Sequence, residues 1–186
     1  MQADFAVELG KDDETLEMPW AGENGPKYYD LKRHPELLRE VEEASRFPEL
    51  AEFLAAMNSA ASMVETAKCD AWTSSEINAE EEIFGAEYKF GGYVDILFSD
   101  ERARFSFPEY EQWAKRLTEL LKRAPEIPAA AEFLIRLCYY RVADGMREGF
   151  YITLYLFGYG EDEDQARRRW AIGLKLVENA ISQLSR

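Results

Sequence analysis

The sequence predicts an α+β domain: an antiparallel sheet built from two ββα units with two long helices on one face, preceded by an N-terminal hairpin and two short helices. Three observations carry this expectation. The stretch from Gly149 to Ile181 (GFYITLYLFGYGEDEDQARRRWAIGLKLVENAI) joins a strand alternating at period 2, a glycine-punctuated turn and a long amphipathic helix. A fainter copy runs from Gly92 to Arg123 (GYVDILFSDERARFSFPEYEQWAKRLTELLKR). In both, a Gly-aromatic pair (Gly92-Tyr93, Gly149-Phe150) opens the strand, and a later tryptophan begins the pattern W-A-x-x-L, at Trp113 and Trp170. These matches read as an internal duplication.

The remaining elements follow in chain order within one domain, 1–186, divided as 1–60, 64–123 and 130–186. Phe5, Val7 and Leu9 alternate, Gly10 to Asp13 turn the chain, and Leu16 and Met18 alternate again, which predicts a short hairpin. Trp20 to Pro26 is a loop by composition. Pro35 and Pro48 each suit a first helical turn, where the missing N–H costs nothing, so two short helices follow. Small residues Ala67, Cys69 and Ala71 alternate through Val64 to Ser74, the first strand of the first unit, and Tyr88 to Ser99 is its second. Between them Asn78 to Ala86 is an acidic loop. Ser106 and Glu109 have capping-box spacing at the start of a helix over 107–123. Phe133 to Val142 has a pattern a helix would also allow, but its β-branched and aromatic content and the Asp144-Gly145 turn favour a strand entering a hairpin. The final helix, 163–184, buries Trp170, Gly173, Leu174, Val177 and Ile181, and Gly173 marks a close approach.

Composition limits the function. The chain carries 22 basic and 36 acidic residues, a net charge of −14, and a field of that sign repels nucleic-acid phosphates and anionic lipid. It suits solubility or a basic protein partner. No apolar run approaches the ~20 residues a membrane helix needs, the N-terminal stretch lacks the pattern of a signal peptide, and Cys69 and Cys138 are too few for a disulfide framework. The expected compartment is the cytoplasm, with no membrane or nucleic-acid partner.

No catalytic constellation, metal site or cofactor motif stands out. His34 is the single histidine and sits before Pro35 at a helix start. The run Glu161 to Asp164 precedes the final helix, where carboxylates serve free N–H groups and the dipole. Arg167, Arg168 and Arg169 fan around a helix and cannot converge on one anion. Asp70 with Glu87-Tyr88-Lys89 resembles the D…(D/E)-x-K spacing of metal-dependent nucleases, in which two carboxylates hold Mg²⁺. The same spacing recurs at Asp30-Leu31-Lys32, so it discriminates poorly.

The most informative feature is aromatic. Tyr151, Tyr155, Phe157 and Tyr159 share one side of a strand, and Trp72, Tyr139 and Tyr140 lie on its expected neighbours. If the helices cover the aliphatic side, the aromatic side faces the N-terminal helices, a partner or a ligand cleft. The expectation is therefore a non-enzymatic cytoplasmic protein acting as a partner-binding or assembly module. Its surface is this aromatic set, or, for a homodimer, Ile172 and Leu176, which widen the apolar side of the last helix. The alternatives are a small-molecule binder or enzyme with a site over the aromatic sheet face and, more weakly, a metal-dependent hydrolase using Asp70, Glu87 and Lys89.

Overall fold

The computed structural model describes residues 1–10, 16–22, 25–26, 28–77 and 85–185. The chain is a mixed α+β fold around a six-stranded, mostly antiparallel sheet. Strands β5 (Val64–Ser74) and β6 (Tyr88–Phe98) pair antiparallel, as do β7 (Ala129–Val142) and β8 (Gly145–Gly160). The two hairpins join through an antiparallel β6–β8 ladder, so the order is β5-β6-β8-β7. Phe133 to Val142 is therefore strand. Phe133 and Ile135 face one side and Leu134 and Cys138 the other, all buried. Burial on both faces produces a nearly continuous apolar run that periodicity alone cannot separate from a helix.

The N-terminal hairpin does not form. β1 (Gln2–Glu8) pairs parallel with β7 from Ala130 to Arg136, and β2 (Leu16–Met18) pairs parallel with the same strand from Cys138 to Tyr140. The two segments lie end to end along one sheet edge instead of folding on each other. The alternation expected of a hairpin is equally that of an interrupted edge strand, because both bury one side only. The expected turn at Gly10 to Asp13 lies largely outside the described residues, as does most of the loop from Asn78 to Ala86. Trp20 to Pro26, expected as loop, contains a small antiparallel pairing of β3 (Ala21–Gly22) with β4 (Gly25–Pro26).

All the longer helices cover one face. α4 (Phe107–Lys122) and α5 (Glu163–Leu184) lie in contact across it, and α2 (Pro48–Met57) packs against α5 and β5. Their buried side chains (Trp113, Leu117 and Leu121 of α4; Trp170, Leu174, Val177 and Ile181 of α5; Leu50, Phe53 and Leu54 of α2) form one core with Val94, Ile96, Phe133, Ile152 and Leu154 of the sheet. A fully buried side chain of this size contributes about 2–3 kcal/mol relative to exposure. α1 (Glu42–Arg46), the 3₁₀ turn Pro35–Glu40 and the one-turn helix α3 (Glu101–Arg104) complete the helical content of the described residues. Ser106 is the N-cap of α4, but its side chain makes no capping hydrogen bond. Asp162 does cap α5, accepting from the Gln165 N–H at 2.6 Å.

The seating of α5 depends on missing side chains. A Cβ at Gly158 would collide with the backbone of Ala166 and Trp170, and one at Gly160 would meet the backbone N of Ala166 at 2.5 Å. Gly173 faces the side chain of Leu156, with the closest carbon 3.1 Å from a would-be Cβ.

Cross-strand register also corrects the expected equivalence of the Gly-aromatic pairs. Tyr93 pairs with Tyr155 on the helix-free face, whereas Phe150 packs into the helical core with Phe107 and Tyr110. Tyr93 and Phe150 therefore stand on opposite faces of the sheet.

Gly158→Ala is expected to destabilise the fold by about 3 kcal/mol or more, because the obstacle is helix backbone that cannot give way locally. Gly173→Ala should be nearly neutral. There the obstacle is the end of a leucine side chain, and alanine recovers up to about 1 kcal/mol of helix propensity. Urea denaturation of the two variants measures both.

Candidate functional site

Alternation places Asp70, Trp72, Tyr93, Asp95, Tyr151, Thr153, Tyr155, Phe157, Leu134 and Arg136 on the face opposite the helices. The N-terminal segment covers part of it. From β2 on the β7 edge the chain crosses to the β5 edge, where Lys32 Nζ donates to the carbonyls of Ser59, Ser62 and Val64 at 3.1, 2.7 and 2.9 Å. Beneath this strap Leu16, Met18, Leu97, Cys138, Tyr140 and Tyr151 form a second, smaller core. Burial pushes the Cys138 thiol and the Tyr151 phenol up to about 12 each, so neither is a ready nucleophile.

The expected aromatic surface is divided by this arrangement. Tyr140 lies in the small core, its hydroxyl donating to the Phe150 carbonyl at 2.8 Å. Tyr151 and Tyr159 are buried as well. Tyr139 stands on the opposite face near the hairpin tip, 36% exposed. What remains together is a half-buried row across β5, β6 and β8. Trp72 lies 6.5 Å from Tyr93 and 6.4 Å from Phe157, and Tyr155 lies 5.9 Å from Tyr93. The Phe157 ring also crosses Gly91, its partner on β6, where a Cβ would sit 2.8 Å from the ring. Lys89 Nζ lies 5.6 Å from the centre of that ring.

Between the row and the strap opens a cavity of about 360 Å³. The edge segment contributes Glu8, Gly10 and Leu16; β5 contributes Lys68, β6 Tyr93 and Asp95, β7 Arg136 and Leu137, and β8 Tyr151, Thr153 and Tyr155. Asp95 and Thr153 are direct cross-strand partners, and the threonine hydroxyl donates to Asp95 Oδ1 at 2.7 Å. Arg136 Nη1 donates to Thr153 Oγ1 at 3.3 Å. Its Nε and Nη2 both donate to Glu8 Oε2, at 2.9 and 2.8 Å. Burial pulls the guanidinium down, but Glu8 and Tyr155 together outweigh it and hold Arg136 firmly charged.

A β-bulge aims Lys68. Thr66 pairs with Ile96 and Cys69 with Val94, so Ala67 and Lys68 together oppose Asp95. The extra residue turns Lys68 to the helix-free side, with Nζ 4.2 Å from the centre of the Trp20 ring. Asp95 itself is 5% exposed. Burial raises its carboxyl to about 6, against opposing contributions from the Thr153 hydrogen bond, Lys68 and Arg136. Burial likewise pushes the Tyr93 phenol up to about 12.

Two further hollows flank this one. The first, about 460 Å³, shares Lys68 and Tyr93 with the cavity and carries Glu40, Glu42, Glu43 and Asp70. The second, about 730 Å³, lies on the far side of the strap; there Arg104 Nη2 meets Glu65 Oε1 at 2.9 Å, and Lys32 is bound to three carbonyls.

Asp70 and Lys89 do not converge. Asp70 pairs with Tyr93 and Lys89 with Ser74, which separates them by four residues along the ladder, roughly 13 Å. Asp70 Oδ1 accepts from the neighbouring Ala71 N–H at 2.7 Å. Glu87 lies just before β6, its N–H donating to the Gly160 carbonyl at 3.1 Å. Among the described residues no three His, Cys, Asp or Glu side chains are placed to hold a metal ion. His34 meets Glu36 at 3.2 Å beside its 3₁₀ turn, and Arg167 grips Glu49 of α2 at 3.2 and 2.8 Å. On α5 Ile172 is 49% exposed, while Leu176 packs against the core, which reduces the expected apolar excess there to one residue.

Sequence reasoning missed Asp95, Arg136, Lys68 and Glu8 as a group. A signal existed for two of them. Asp95 and Arg136 each interrupt an apolar strand run, YVDILF and FLIRLCYY, and a charge in such a place needs a partner or a purpose.

Neither a protein-family model, nor a curated protein, nor a solved structure matches the chain. Among the described residues no helix is long and apolar enough to cross a membrane.

Asp95 makes the stability of the protein pH-dependent in a defined sense. Its folded carboxyl titrates near 6 against an ordinary 3.8. Between those values the folded state holds more protons than the unfolded state, so this group's contribution falls as pH rises from about 4 to 6 and stays low above. Asp95→Asn is expected to remove that slope and to raise stability at pH 7 by up to about 3 kcal/mol. Denaturant midpoints of both proteins at pH 4.5 and 7 measure it; a variant less stable at pH 7 refutes the assignment.

Proposed function

We propose that this protein is a non-enzymatic binding module whose working surface is the helix-free face of the sheet, and that its partner is a basic protein. The observation that supports this best is the half-buried row Trp72, Tyr93, Tyr155 and Phe157. Fold stability does not require four large rings at partial exposure on a face whose neighbouring half is buried under a strap. Rigid rings with few rotamers are efficient contact residues, because little side-chain entropy is lost on binding. The net charge of −14 favours a basic partner, and the acidic hollow at Glu40, Glu42, Glu43 and Asp70 adjoins the row through Tyr93.

We also read the two hairpin-helix halves as an internal duplication. Tyr93 and Tyr151 are then equivalent on the helix-free face, and the Asp95–Thr153 pair lies on the axis between the halves. Trp113 and Trp170 support the reading, both being buried with an indole Nε1 that has no hydrogen-bond partner among the described residues.

The partner is sought by passing extract of the native cell over immobilised wild-type protein and over Trp72→Ala and Phe157→Ala variants. A specific partner is retained at low salt, released as salt screens the field, and lost by the variants. Each truncation at the centre of the row should weaken binding by about 2 kcal/mol, roughly thirtyfold. Identical retention by wild type and variants removes the aromatic row from the function. Light scattering on the isolated protein shows whether a second copy takes the partner's place.

A further inference from the structure

The cavity beside the aromatic row contains one charge that is not directly matched. Among the described residues four charged groups reach it, and three are engaged. Arg136 and Glu8 hold each other through two hydrogen bonds. Lys68 lies against the Trp20 ring, where a cation is attracted to the ring face. Asp95 differs from all of them. Among the described residues its carboxyl accepts one hydrogen bond, from Thr153, and Lys68 and Arg136 act on it only from a distance.

A carboxylate has about four lone-pair sites. Among the described residues one of them is filled, and the group lines a space larger than a water molecule needs and within the lower range of ligand pockets. The surroundings select the charge of an occupant. Glu8 and Arg136 offset each other and Lys68 lies against the Trp20 ring, so the unmatched charge an occupant meets is that of Asp95, which repels an anion and is left uncompensated by a neutral group. A cation would pair with Asp95 and lie beside the rings of Tyr93 and Tyr155, whose centres are 5.9 Å apart. Its approach is favoured by the adjoining hollow, where Glu40, Glu42, Glu43 and Asp70 lower the potential next to Tyr93.

We propose that this cavity is a receptor for a single cationic group, an alkylammonium or alkylguanidinium, held by Asp95 against Tyr93 and Tyr155. The proposal rests on the reading of this face as a binding surface, yet it can be tested without any protein partner. The cation is either a lysine or arginine side chain of that partner or the head of a free amine. Both present the same chemistry to Asp95.

The test uses the intact protein and four probes: n-butylamine, n-butylguanidine, Nα-acetyl-lysine amide and, as a neutral control, n-butanol. Nuclear magnetic resonance follows the ring signals of Tyr93, Tyr151 and Tyr155 during titration. The cationic probes are expected to shift Tyr93 and Tyr155 saturably, and butanol to leave them in place. Asp95→Asn still accepts the Thr153 hydrogen bond and should keep the fold while weakening the cations at least about tenfold. Lys68→Met, which removes a like charge from the cavity, should tighten them. Tighter binding of the capped lysine than of butylamine supports a partner's side chain as the source; the reverse supports a free amine.

Equal shifts by butanol and the cations, no shift by any cation, or weaker cation binding in Lys68→Met overturns the proposal. The two readings fail separately. Loss of a protein partner in Phe157→Ala with no cation binding leaves the aromatic surface and removes the receptor. Saturable cation binding with no retained partner does the opposite.

Discussion

The contact between α5 and β8 sets the rest of the structure. Gly158 and Gly160 leave no side chain between strand and helix, so the backbone of α5 around Ala166 and Trp170 rests directly on the strand. At that separation the Trp170 ring reaches across to Gly92 and packs against Phe90, with centroids 4.8 Å apart, and against Phe47 at 6.3 Å. Phe47 begins α2, so the position of the short N-terminal helices follows from the same close approach. A wider spacing would leave a void along the centre of the sheet, and interiors at crystal-like density tolerate few voids. One glycine-lined contact therefore commits α2, α4 and α5 to a single face.

That commitment leaves the other face without helices, and the chain treats its two halves differently. Over Leu97, Cys138, Tyr140 and Tyr151 the N-terminal strap closes a small second core. Over Trp72, Tyr93, Tyr155 and Phe157 nothing among the described residues closes it. The boundary between the halves is where Asp95, Arg136, Glu8 and Lys68 gather, and the bulge at Ala67-Lys68 is the local device that turns a lysine toward it. A regular strand would turn Lys68 to the helix side, against the main core. The bulge avoids that burial and adds a charge to the boundary at the same time.

The sequence made the skeleton legible because the skeleton is periodic. Val64 to Ser74, the helices at 107 and 163, and the strand character of Phe133 to Val142 all follow from alternation, proline and capping signals. The hairpin at the N-terminus was misread because alternation reports which residues are buried and not which strand they pair with. Parallel addition of both β1 and β2 to β7 is a long-range choice, made by a strand more than a hundred residues away. The aromatic site was only half legible for a related reason. Tyr151, Tyr155, Phe157 and Tyr159 share a face in the sequence, but whether the strap crosses above Tyr151 or above Phe157 is a tertiary fact. Asp95 and Arg136 were visible as interruptions, and only register shows that both stand next to Thr153.

The energetic cost of Asp95 indicates where selection acted. A buried carboxyl whose titration is raised toward neutrality contributes unfavourably to folding at physiological pH, and a neutral residue of the same shape would avoid that. Two arrangements were available to neutralise it within the fold. Lys68 lies opposite it on the bulge, and Arg136 is bonded to the same threonine hydroxyl. Neither closes on the carboxylate: Lys68 is drawn to Trp20 and Arg136 to Glu8. A structure optimised for stability alone would bring one of those cations onto Asp95 or replace the aspartate. Keeping both resident cations occupied and the carboxylate open to a cavity follows if the matching charge arrives from outside the chain. Burial that weakens the folded state then strengthens recognition, because an under-solvated carboxylate loses little further hydration when its partner binds.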